Sequence, residues 1–327
     1  MPQPASAEGA RSEPKASEVS PGRRVLILGG GAALGAHQVG ALKLLEEEGI
    51  RPDAIVGSSI GVVNACLYAS GGVENMERAW LSLGSVAPLF RPSLRHNPVT
   101  GMSFASLDPL AGRIERFVDF ERVLASPLDL QFILLNLSRG EGQFFSSRQA
   151  RSADELRKMS RAGYSIPVLF PPVRVRGELF VDGGFAWNVP LLQAFEMGAT
   201  EIVVLAVVPT QLPFRRSFRG VADYMGRVSD VMWRTLGNVG YLTTRIDPDG
   251  TYRGVPVLVV HPTEELAGFS VSGILSTTRA RSRRLITAGY RDAKRELTRR
   301  RRTAAAGPSP RGEEALEVEP AFRHGVS

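Results

Sequence analysis

The sequence contains few of the residues that build covalent cross-links or metal centres. Its 327 residues include one cysteine, Cys66, and four histidines that are widely separated. One cysteine cannot form an internal disulfide or a cysteine-based zinc or iron–sulfur site, and scattered histidines argue against a histidine-rich metal site. We therefore expect neither a metal ion nor another cofactor.

Long apolar runs are also absent. No uninterrupted apolar stretch approaches the roughly 18 residues that would span a bilayer, and residues 1–22 lack the apolar core of a secretory signal. Because residues 1–22 and 303–327 are mostly small and polar and contain prolines, we predict that both are disordered tails. These features predict one ordered domain over residues 23–302 and a cytoplasmic location.

The positive charge is confined to one segment. The net charge is +7 at pH 7, yet eleven basic and two acidic residues lie between Arg279 and Arg302, so the rest of the chain is slightly negative. We expect the helix predicted over 274–302 either to dock on the domain or to contact an anionic membrane peripherally through residues 279–302. No recognition motif or interleaving of aromatic residues points to nucleic acid as a partner.

Two successive units of strand, glycine turn and helix open the ordered region. The first reads VLILGGGAALGAHQVGALKLLEEEGI from Val25, and the second reads DAIVGSSIGVVNACLYASGG from Asp53. In the second unit the strand covers residues 54–56, and glycines 71 and 72 are expected to close the helix. Repeated units of this kind favour a parallel sheet with crossover helices.

The remaining elements are predicted from apolar periodicity. Further strands are expected at 130–137, 143–146, 178–181, 201–208 and 255–260, and further helices at 153–162, 190–197, 217–245 and 274–302. The amphipathic pattern of residues 217–245 favours core packing over a lid or a lipid-facing surface, and three prolines indicate a surface loop or lid at 86–100. The sequence thus predicts an α/β fold with a mixed sheet.

A possible nucleophile lies in the second turn. Residues Gly57 to Gly61 form a G-x-S-x-G pattern between a predicted strand and a predicted helix. The flanking glycines allow a sharp turn that projects the Ser59 hydroxyl at the sheet edge, while the helix N-terminus offers unpaired N–H groups to an oxyanion. A glycine turn whose serine caps the helix is the alternative, but the strand–helix context favours a nucleophile.

The first turn, Gly29 to Gly35, is a possible anion cradle. Its backbone N–H groups could bind a nucleotide phosphate or the oxyanion of acyl transfer, and a plain packing turn remains the alternative. Neither nucleotide motif fits, because no Gly-Lys-Ser/Thr closes the loop and the dinucleotide motif needs glycine where Ala32 or Leu34 stands. Acyl transfer needs no lysine here.

A possible base ends the strand predicted at 178–181. Asp182 is followed by Gly183 and Gly184, which places the carboxylate at a sheet edge where open α/β folds bind ligands, although an Asx turn has the same residues.

Two arrangements of the base are open. Asp182 can act alone on Ser59, or His261 can complete the serine, aspartate, histidine order of α/β hydrolases. His37, in the first predicted helix, could also approach the site. A lone histidine is more often a surface or packing residue.

These motifs, in this order and spacing, resemble the patatin-like phospholipase family over residues 23–208. Gly29 to Leu42 is similar to the family's glycine-rich oxyanion loop and helix, Gly57 to Gly61 to its nucleophile elbow, and Asp182 to Gly184 to its D-G-G/A motif. The runs 162–173 and 182–190 are similar to the stretch that precedes and carries the family's aspartate.

The resemblance implies a three-layer α/β/α fold with a mostly parallel central sheet. It further implies a Ser59–Asp182 dyad that hydrolyses acyl lipids or other carboxylic esters through an acyl-enzyme. The N–H groups that bind the oxyanion or substrate would belong to Gly30, Gly31, Ala32 and Ile60.

The sequence departs from the family's loop at two positions. Alignment on Gly35 puts Ala32 at the third glycine and Leu34 at the usual basic residue. If that charge normally helps to hold an anion, its loss implies a preference for neutral esters or slow turnover. The alternative function is a catalytically weak scaffold that binds a lipid or a partner protein.

Overall fold

The computed structural model describes residues 22–83, 105–184, 186–207, 249–262 and 277–306, with residues 103, 214, 216–221, 223–224, 227–228, 231 and 246–247. The strands are β1 (Arg24–Leu28), β2 (Ala54–Gly57), β3 (Asp129–Asn136), β4 (Glu141–Ser146), β5 (Val173–Val175), β6 (Glu178–Asp182), β7 (Glu201–Leu205), β8 (Thr251–Tyr252) and β9 (Val255–Val260). The helices are α1 (Ala36–Glu47), α2 (Ile60–Ser82), α3 (Asp108–Ile114), α4 (Phe120–Leu124), α5 (Ala153–Gly163), α6 (Leu191–Glu196) and α7 (Arg279–Ala306).

One sheet organises the described chain. Its strand order is β5-β6-β3-β2-β1-β7-β9-β8, and β4 pairs with β3. The five strands β3, β2, β1, β7 and β9 are parallel, whereas β4, β5, β6 and β8 pair in antiparallel fashion. The predicted mixed, mostly parallel sheet is therefore confirmed.

Both faces of the sheet are covered. Successive side chains of a strand point to opposite faces, and in β1 Leu26 and Leu28 enter the larger core while Val25 and Ile27 enter the smaller one. The larger core contains apolar residues of α1, α2, α5 and α7, and the smaller one contains those of α6. Such two-sided burial explains the continuous apolar runs in the parallel strands. The three-layer α/β/α arrangement is confirmed.

Helix α2 is longer than the sequence predicted. Its backbone leaves the helical conformation at Gly71 and Gly72 and then continues as helix to Ser82. Gly72 has a φ of 71°, which is the left-handed region that glycine tolerates best. The two glycines were predicted to end the helix, but they only interrupt it, and the second helical segment was missed. That segment matters because Trp80 packs against the first turn of the chain.

Helix α7 docks tightly on α1. A Cβ added to Gly40 of α1 would lie 1.7 Å from the carbonyl oxygen of Ile286, and one added to Gly289 of α7 would lie 1.8 Å from that of His37. The two backbones therefore approach where only glycine fits. The helix was predicted over 274–302 but begins at Arg279 and ends at Ala306, so the predicted tail from residue 303 is helical in its first four residues.

Several arginines of α7 are paired with carboxylates. Arg300 contacts Glu201 and Arg301 contacts Glu48, so both join the helix to the rest of the domain. Arg299 pairs with Glu296 within the helix. Docking on the domain is thus shown, and part of the helix charge is compensated. Among the described helices, none is both long enough and apolar enough to cross a membrane.

The core packing favoured for residues 217–245 is wrong for four of its apolar side chains. Phe218, Val221, Tyr224 and Val231 are between 43% and 78% exposed. Three other predicted parts of the chain lie outside the described residues. They are most of the rest of segment 217–245, the surface loop or lid predicted at 86–100, and most of both predicted tails. Short elements were missed, because β5, β8, α3 and α4 span only two to seven residues.

Candidate active site

Ser59 occupies a sharp turn between β2 and α2. Its φ of 53° and ψ of −122° lie outside the usual regions for a residue with a side chain, a conformation that costs of order 1–3 kcal/mol. The Ser59 hydroxyl makes no capping hydrogen bond to the described helix that follows. The helix-cap interpretation of the motif is therefore not supported, and the hydroxyl is available for another role.

The motif's glycines explain why the chain can turn here. A Cβ on Gly61 would lie 2.0 Å from the carbonyl oxygen of Leu28, and a Cβ on Gly57 would lie 2.8 Å from the backbone of Gly61. The N–H of Ser58 donates to the same Leu28 oxygen at 3.0 Å. Helix α2 thus begins in direct contact with the end of β1. We call residues 57–61 the elbow.

Asp182 reaches the elbow by a route that the sequence did not predict. It was expected at the carboxyl-terminal edge of the sheet, where open α/β folds bind ligands, and the structure shows that β6 is antiparallel to β3. On β3, residues 131–136 pair with β4, residues 129–132 with β2, and residues 134–136 with β6. Because a strand has two edges, β2 and β6 share one edge end to end. Their carboxyl ends therefore face each other.

Gly184 lies between the two candidate catalytic side chains. A Cβ added to it would be 2.8 Å from Ser58 Oγ, 3.1 Å from Asp182 Oδ1 and 3.4 Å from Ser59 Cβ. Gly183 is equally confined, because its Cβ would lie 2.6 Å from the backbone of Ile133. The two glycines of the third motif are thus needed for the close approach of Ser59 and Asp182.

The Asp182 carboxyl is completely buried. Loss of hydration raises its pKa to about 7, while the Ser59 hydroxyl and the N–H of Gly184 act to lower it. The Gly184 N–H donates to Oδ1 at 2.8 Å, but Oδ2 accepts no hydrogen bond of ordinary geometry from the described residues. Asp182 therefore has one oxygen without such a hydrogen bond and a pKa that would suit proton transfer near neutral pH.

The glycine loop presents backbone N–H groups beside the elbow. Among the four donors that the resemblance implied, Gly30 is already engaged, because its N–H donates to Asn188 Oδ1. The N–H groups of Gly31, Ala32 and Ile60 make no hydrogen bond within the described part of the chain. Three of the four expected donors are thus available for an oxyanion. The expectation for Gly30 is corrected, because its N–H is already used.

The two departures from the family's loop are accommodated. Ala32 has a φ of 48°, so alanine here adopts the left-handed conformation that glycine would favour. Leu34 replaces the family's usual basic residue, and its side chain is fully buried in the larger core.

Sequence reasoning missed the buried amides that support this loop. Asn188 binds both backbone groups of Gly30, since its Nδ2 also donates to the Gly30 carbonyl oxygen at 3.3 Å. Gln38 Nε2 donates to the carbonyl oxygens of Gly29 (2.8 Å) and Leu205 (3.0 Å). The only signal for Asn188 was its place six residues after Asp182, within the run that resembles the family.

The two candidate histidines lie elsewhere. His37 Nε2 lies 2.9 Å from Asp292 Oδ2 in the contact between α1 and α7. His261 follows β9, which is three strand positions from β2, or about 14 Å at the usual strand spacing. Its Nδ1 lies 3.2 Å from the carbonyl oxygen of Pro262. The structure therefore does not assemble the Ser59–Asp182–His261 triad.

An apolar cavity of about 70 Å³ opens beside Ser59. It lies between the elbow, both segments of α2, α3 and the chain after α5. The described residues that line it are Ala32, Ala33, Ser59, Ile60, Val63, Trp80, Leu83, Leu110, Ile114, Tyr164, Ile166, Phe170 and Thr277. Apart from Ser59 and Thr277, the wall is formed by aliphatic and aromatic side chains.

The chain is similar in sequence to one protein family and to several curated proteins. A family model described as patatin-like phospholipase matches residues 26–195. The lysophospholipase nte1 of Aspergillus oryzae is 32% identical over 189 residues, covering 57% of this chain and 12% of that protein. The corresponding protein of Aspergillus terreus is 31% identical over 189 residues, with the same coverage. The chain thus spans about 12% of the length of these curated relatives.

Two solved structures are similar over most of the chain. VipD from Legionella pneumophila has a TM-score of 0.48 at 13% identity, covering 86% of this chain and 67% of VipD. The type III effector protein ExoU has a TM-score of 0.40 at 13% identity, covering 86% of this chain and 53% of ExoU.

Proposed function

Because the chain belongs to the patatin-like phospholipase family, we propose that it hydrolyses carboxylic esters of acyl lipids, with Ser59 as nucleophile and Asp182 as base. The observation that carries this proposal is the meeting of two features at Gly184. One is Ser59, which has a positive φ and whose hydroxyl does not cap the helix that follows. The other is the buried Asp182 carboxyl, which has a raised pKa and one oxygen without a hydrogen bond of ordinary geometry from the described residues. The relatives named lysophospholipase support the lipid substrate.

In the first step Asp182 accepts the Ser59 proton as Oγ attacks the ester carbonyl carbon. The oxyanion receives hydrogen bonds from the N–H groups of Gly31, Ala32 and Ile60. When the carbonyl re-forms, the bond to the alcohol breaks, and protonated Asp182 returns the proton to the leaving oxygen. Asp182 then takes a proton from a water molecule as that water attacks the carbonyl carbon of the acyl-enzyme. When the bond between the acyl carbon and Ser59 Oγ breaks, Asp182 passes this proton to Oγ, which releases the acid and restores both side chains.

The apolar cavity supports an acyl chain as the part of the substrate nearest to Ser59. Its wall offers dispersion contacts and excludes water from the ester, and a low-polarity site strengthens the oxyanion hydrogen bonds. Val63 lies in this wall beside the elbow. We expect Val63→Phe to shift the preference among glycerol or aryl esters toward shorter acyl chains, while Val63→Ala leaves or lengthens the preferred chain.

Ester and phospholipid profiling of the wild type beside two variants tests the dyad. Ser59→Ala and Asp182→Asn should each reduce the release of acid by orders of magnitude, because each removes a group that transfers or receives the proton. Ser160→Ala and Asp129→Asn are matched controls: both residues are buried, and both lie outside the proposed machinery. Full activity in either dyad variant would overturn the mechanism.

The second candidate is a scaffold that binds lipid without hydrolysing it, which the missing loop charge at Leu34 favours. A fluorophosphonate reacts covalently only with an activated serine. Labelling of the wild type that is lost in Ser59→Ala therefore supports the enzyme. Lipid binding by an unlabelled wild type supports the scaffold.

We also propose that residues 279–302 make peripheral contact with anionic membranes. Arg283, Lys294 and Arg302 are exposed on α7 beside the arginines that are paired with carboxylates. Attraction to anionic lipid should weaken as salt is added. The protein should therefore bind vesicles that contain phosphatidylserine and should not bind neutral vesicles. Binding to the phosphatidylserine vesicles should weaken as salt is added and in the triple variant R283E/K294E/R302E. Equal binding to both vesicle types would contradict the contact.

A further inference from the structure

We propose that Asn188 is a positioning residue that fixes the glycine loop relative to Asp182, and so determines which loop N–H groups face the oxyanion. The inference rests on the proposed function. It concerns a side chain that touches neither the ester nor the nucleophile's proton, and that acts through the backbone of Gly30.

The contact between Asn188 and Gly30 is reciprocal. Asn188 Oδ1 accepts the Gly30 N–H, and Asn188 Nδ2 donates to the Gly30 carbonyl oxygen at 3.3 Å. The side-chain amide thus pairs with one residue's backbone as a neighbouring strand would. Asn188 is only 2% exposed. Loss of the amide would leave two buried backbone groups of Gly30 without these partners, which a folded chain avoids by shifting.

Gly30 has little room on the other side. A Cβ added to it would lie 2.7 Å from Ser59 Cβ and 2.9 Å from Asn188 Oδ1. The residue is therefore held between the elbow and the amide. Gly31 and Ala32 follow directly, and their N–H groups are two of the three proposed oxyanion donors. A displacement of Gly30 moves both donors with respect to Ser59 Oγ.

The other end of this support is the base. Gly183 N–H donates to the carbonyl oxygen of Ile133 at 3.2 Å, which fixes the chain just after Asp182. Ala186 and Trp187 donate back to the Gly183 carbonyl oxygen at 2.9 and 3.1 Å, forming a short turn that delivers Asn188. The segment after Asp182 therefore links the base to the loop. One segment sets the position of the proton acceptor and of two oxyanion donors.

This role predicts a specific kinetic signature. Oxyanion donors must lie near 3 Å from the developing charge, and the loss of one donor typically costs about 100- to 1,000-fold in kcat. A displaced loop weakens the bonds to the transition state more than those to the bound ester. We therefore expect Asn188→Ala to lower kcat about 100-fold and to change KM less than about threefold.

Asn75→Ala is the matched control. Asn75 is also a buried asparagine, 6% exposed, and its Nδ2 donates to the carbonyl oxygens of Leu67 (3.0 Å) and Phe117 (2.8 Å), away from the site. It should lower the melting temperature as Asn188→Ala does, but leave kcat within about threefold of the wild type. A similar loss of kcat in both variants would show a structural effect only and overturn the proposal.

Two further measurements keep the test decisive. Affinity for a trifluoromethyl ketone, which forms a tetrahedral adduct with a serine, should fall in Asn188→Ala by about the same factor as kcat. Hydrogen exchange of the Gly30 amide should accelerate in Asn188→Ala and not in Asn75→Ala. If the wild type hydrolyses no ester, the proposed function fails, whereas unchanged Gly30 exchange in Asn188→Ala contradicts the positioning role itself.

If Asn188→Ala does not fold, Asn188→Ser replaces it. The serine is too short to contact both backbone groups of Gly30, but it keeps a polar group in the space. The same loss of kcat with KM maintained, and the same faster Gly30 exchange, are expected. Wild-type kcat in a folded Asn188→Ser protein would overturn the proposal.

Discussion

The two strand–turn–helix units at the start of the domain share a pattern but are held in different ways. The elbow between β2 and α2 is held by backbone packing, with Gly61 against Leu28. The loop between β1 and α1 depends on side-chain amides, of which Asn188 is 158 residues away from Gly30. The turn proposed to supply a side chain is thus held by residues close in sequence and by β1, whereas the turn proposed to supply N–H groups is held by an amide far along the chain.

Each unit also contains one residue with a side chain in the left-handed region. Ala32 has a φ of 48° and Ser59 a φ of 53°. Both turns therefore hold a residue with a side chain at a positive φ, and the proposed roles of the two residues differ. At Ser59 the side chain is the proposed nucleophile, while at Ala32 the backbone N–H is the proposed oxyanion donor. Substitutions in the two turns and at Asp182 test this comparison.

The largest effect is expected for Ser59→Gly. Removal of the hydroxyl should reduce ester hydrolysis at least about 1,000-fold. The same change should raise the melting temperature, because glycine adopts a positive φ without steric cost. Steady-state hydrolysis and thermal unfolding measure both effects. A fall in stability would contradict the view that the elbow stores strain at its nucleophile.

The second effect is the pH dependence of ester hydrolysis. We expect it to arise at the elbow, because Asp182, the proposed base, lies beside Ser59. With the pKa of Asp182 raised to about 7, kcat/KM should rise about tenfold per pH unit below 7 and level off above it. Asp182→Asn removes this dependence along with the activity. A flat wild-type profile between pH 5 and pH 8 would contradict Asp182 as the base.

The same shift has a consequence for stability. The pKa of Asp182 is higher in the folded protein than in the unfolded chain. The protonated carboxyl therefore contributes fully to the unfolding free energy below about pH 4, and this contribution is lost as pH rises through about 7. Relative to Asp182→Asn, the wild type should therefore lose up to roughly 4 kcal/mol of unfolding free energy between pH 4 and pH 8. Denaturant unfolding at both pH values measures the difference.

Gly61→Ala tests whether the elbow is held by packing. The new Cβ would lie 2.0 Å from the Leu28 carbonyl oxygen, so either β1 or α2 must move. We expect a loss of about 3 kcal/mol in unfolding free energy. Gly112→Ala in α3 is the control, because its Cβ meets no described atom within 4 Å and alanine favours helix by up to about 1 kcal/mol. Equal stability of the two variants would contradict the packing argument.

The smallest effect is expected for Ala32→Gly. Glycine relieves the left-handed conformation, for a gain of at most about 1 kcal/mol that its unfolded-state entropy reduces. Because the N–H remains, activity should stay within about threefold of the wild type. Activity lost to the extent seen in Ser59→Gly would show that the Ala32 side chain itself is needed, and the comparison between the two turns would fail.

The difference between the turns also explains what the sequence could and could not predict. The elbow was found because its determinants lie within five residues, and Asp182 because two glycines follow it at once. The support from Asn188 and the antiparallel approach of β6 arise from residues far apart in the chain. The second segment of α2 was missed because a glycine pair usually ends a helix. Here the pair only interrupts the helix, and Trp80 of the second segment packs on Gly35, which is distant in the chain.

The contact of α7 with α1 sets an order of events during protein synthesis. Tyr290 donates a hydrogen bond to Glu47, which precedes it by 243 residues. At typical elongation rates α7 emerges roughly 10 to 50 s after α1. Until then the face of α1 around Gly40 has no cover from α7. A nascent chain that already contains Ser59 and Asp182 still lacks the helix that packs on α1. Chaperone binding to stalled nascent chains should therefore fall sharply once α7 leaves the ribosome.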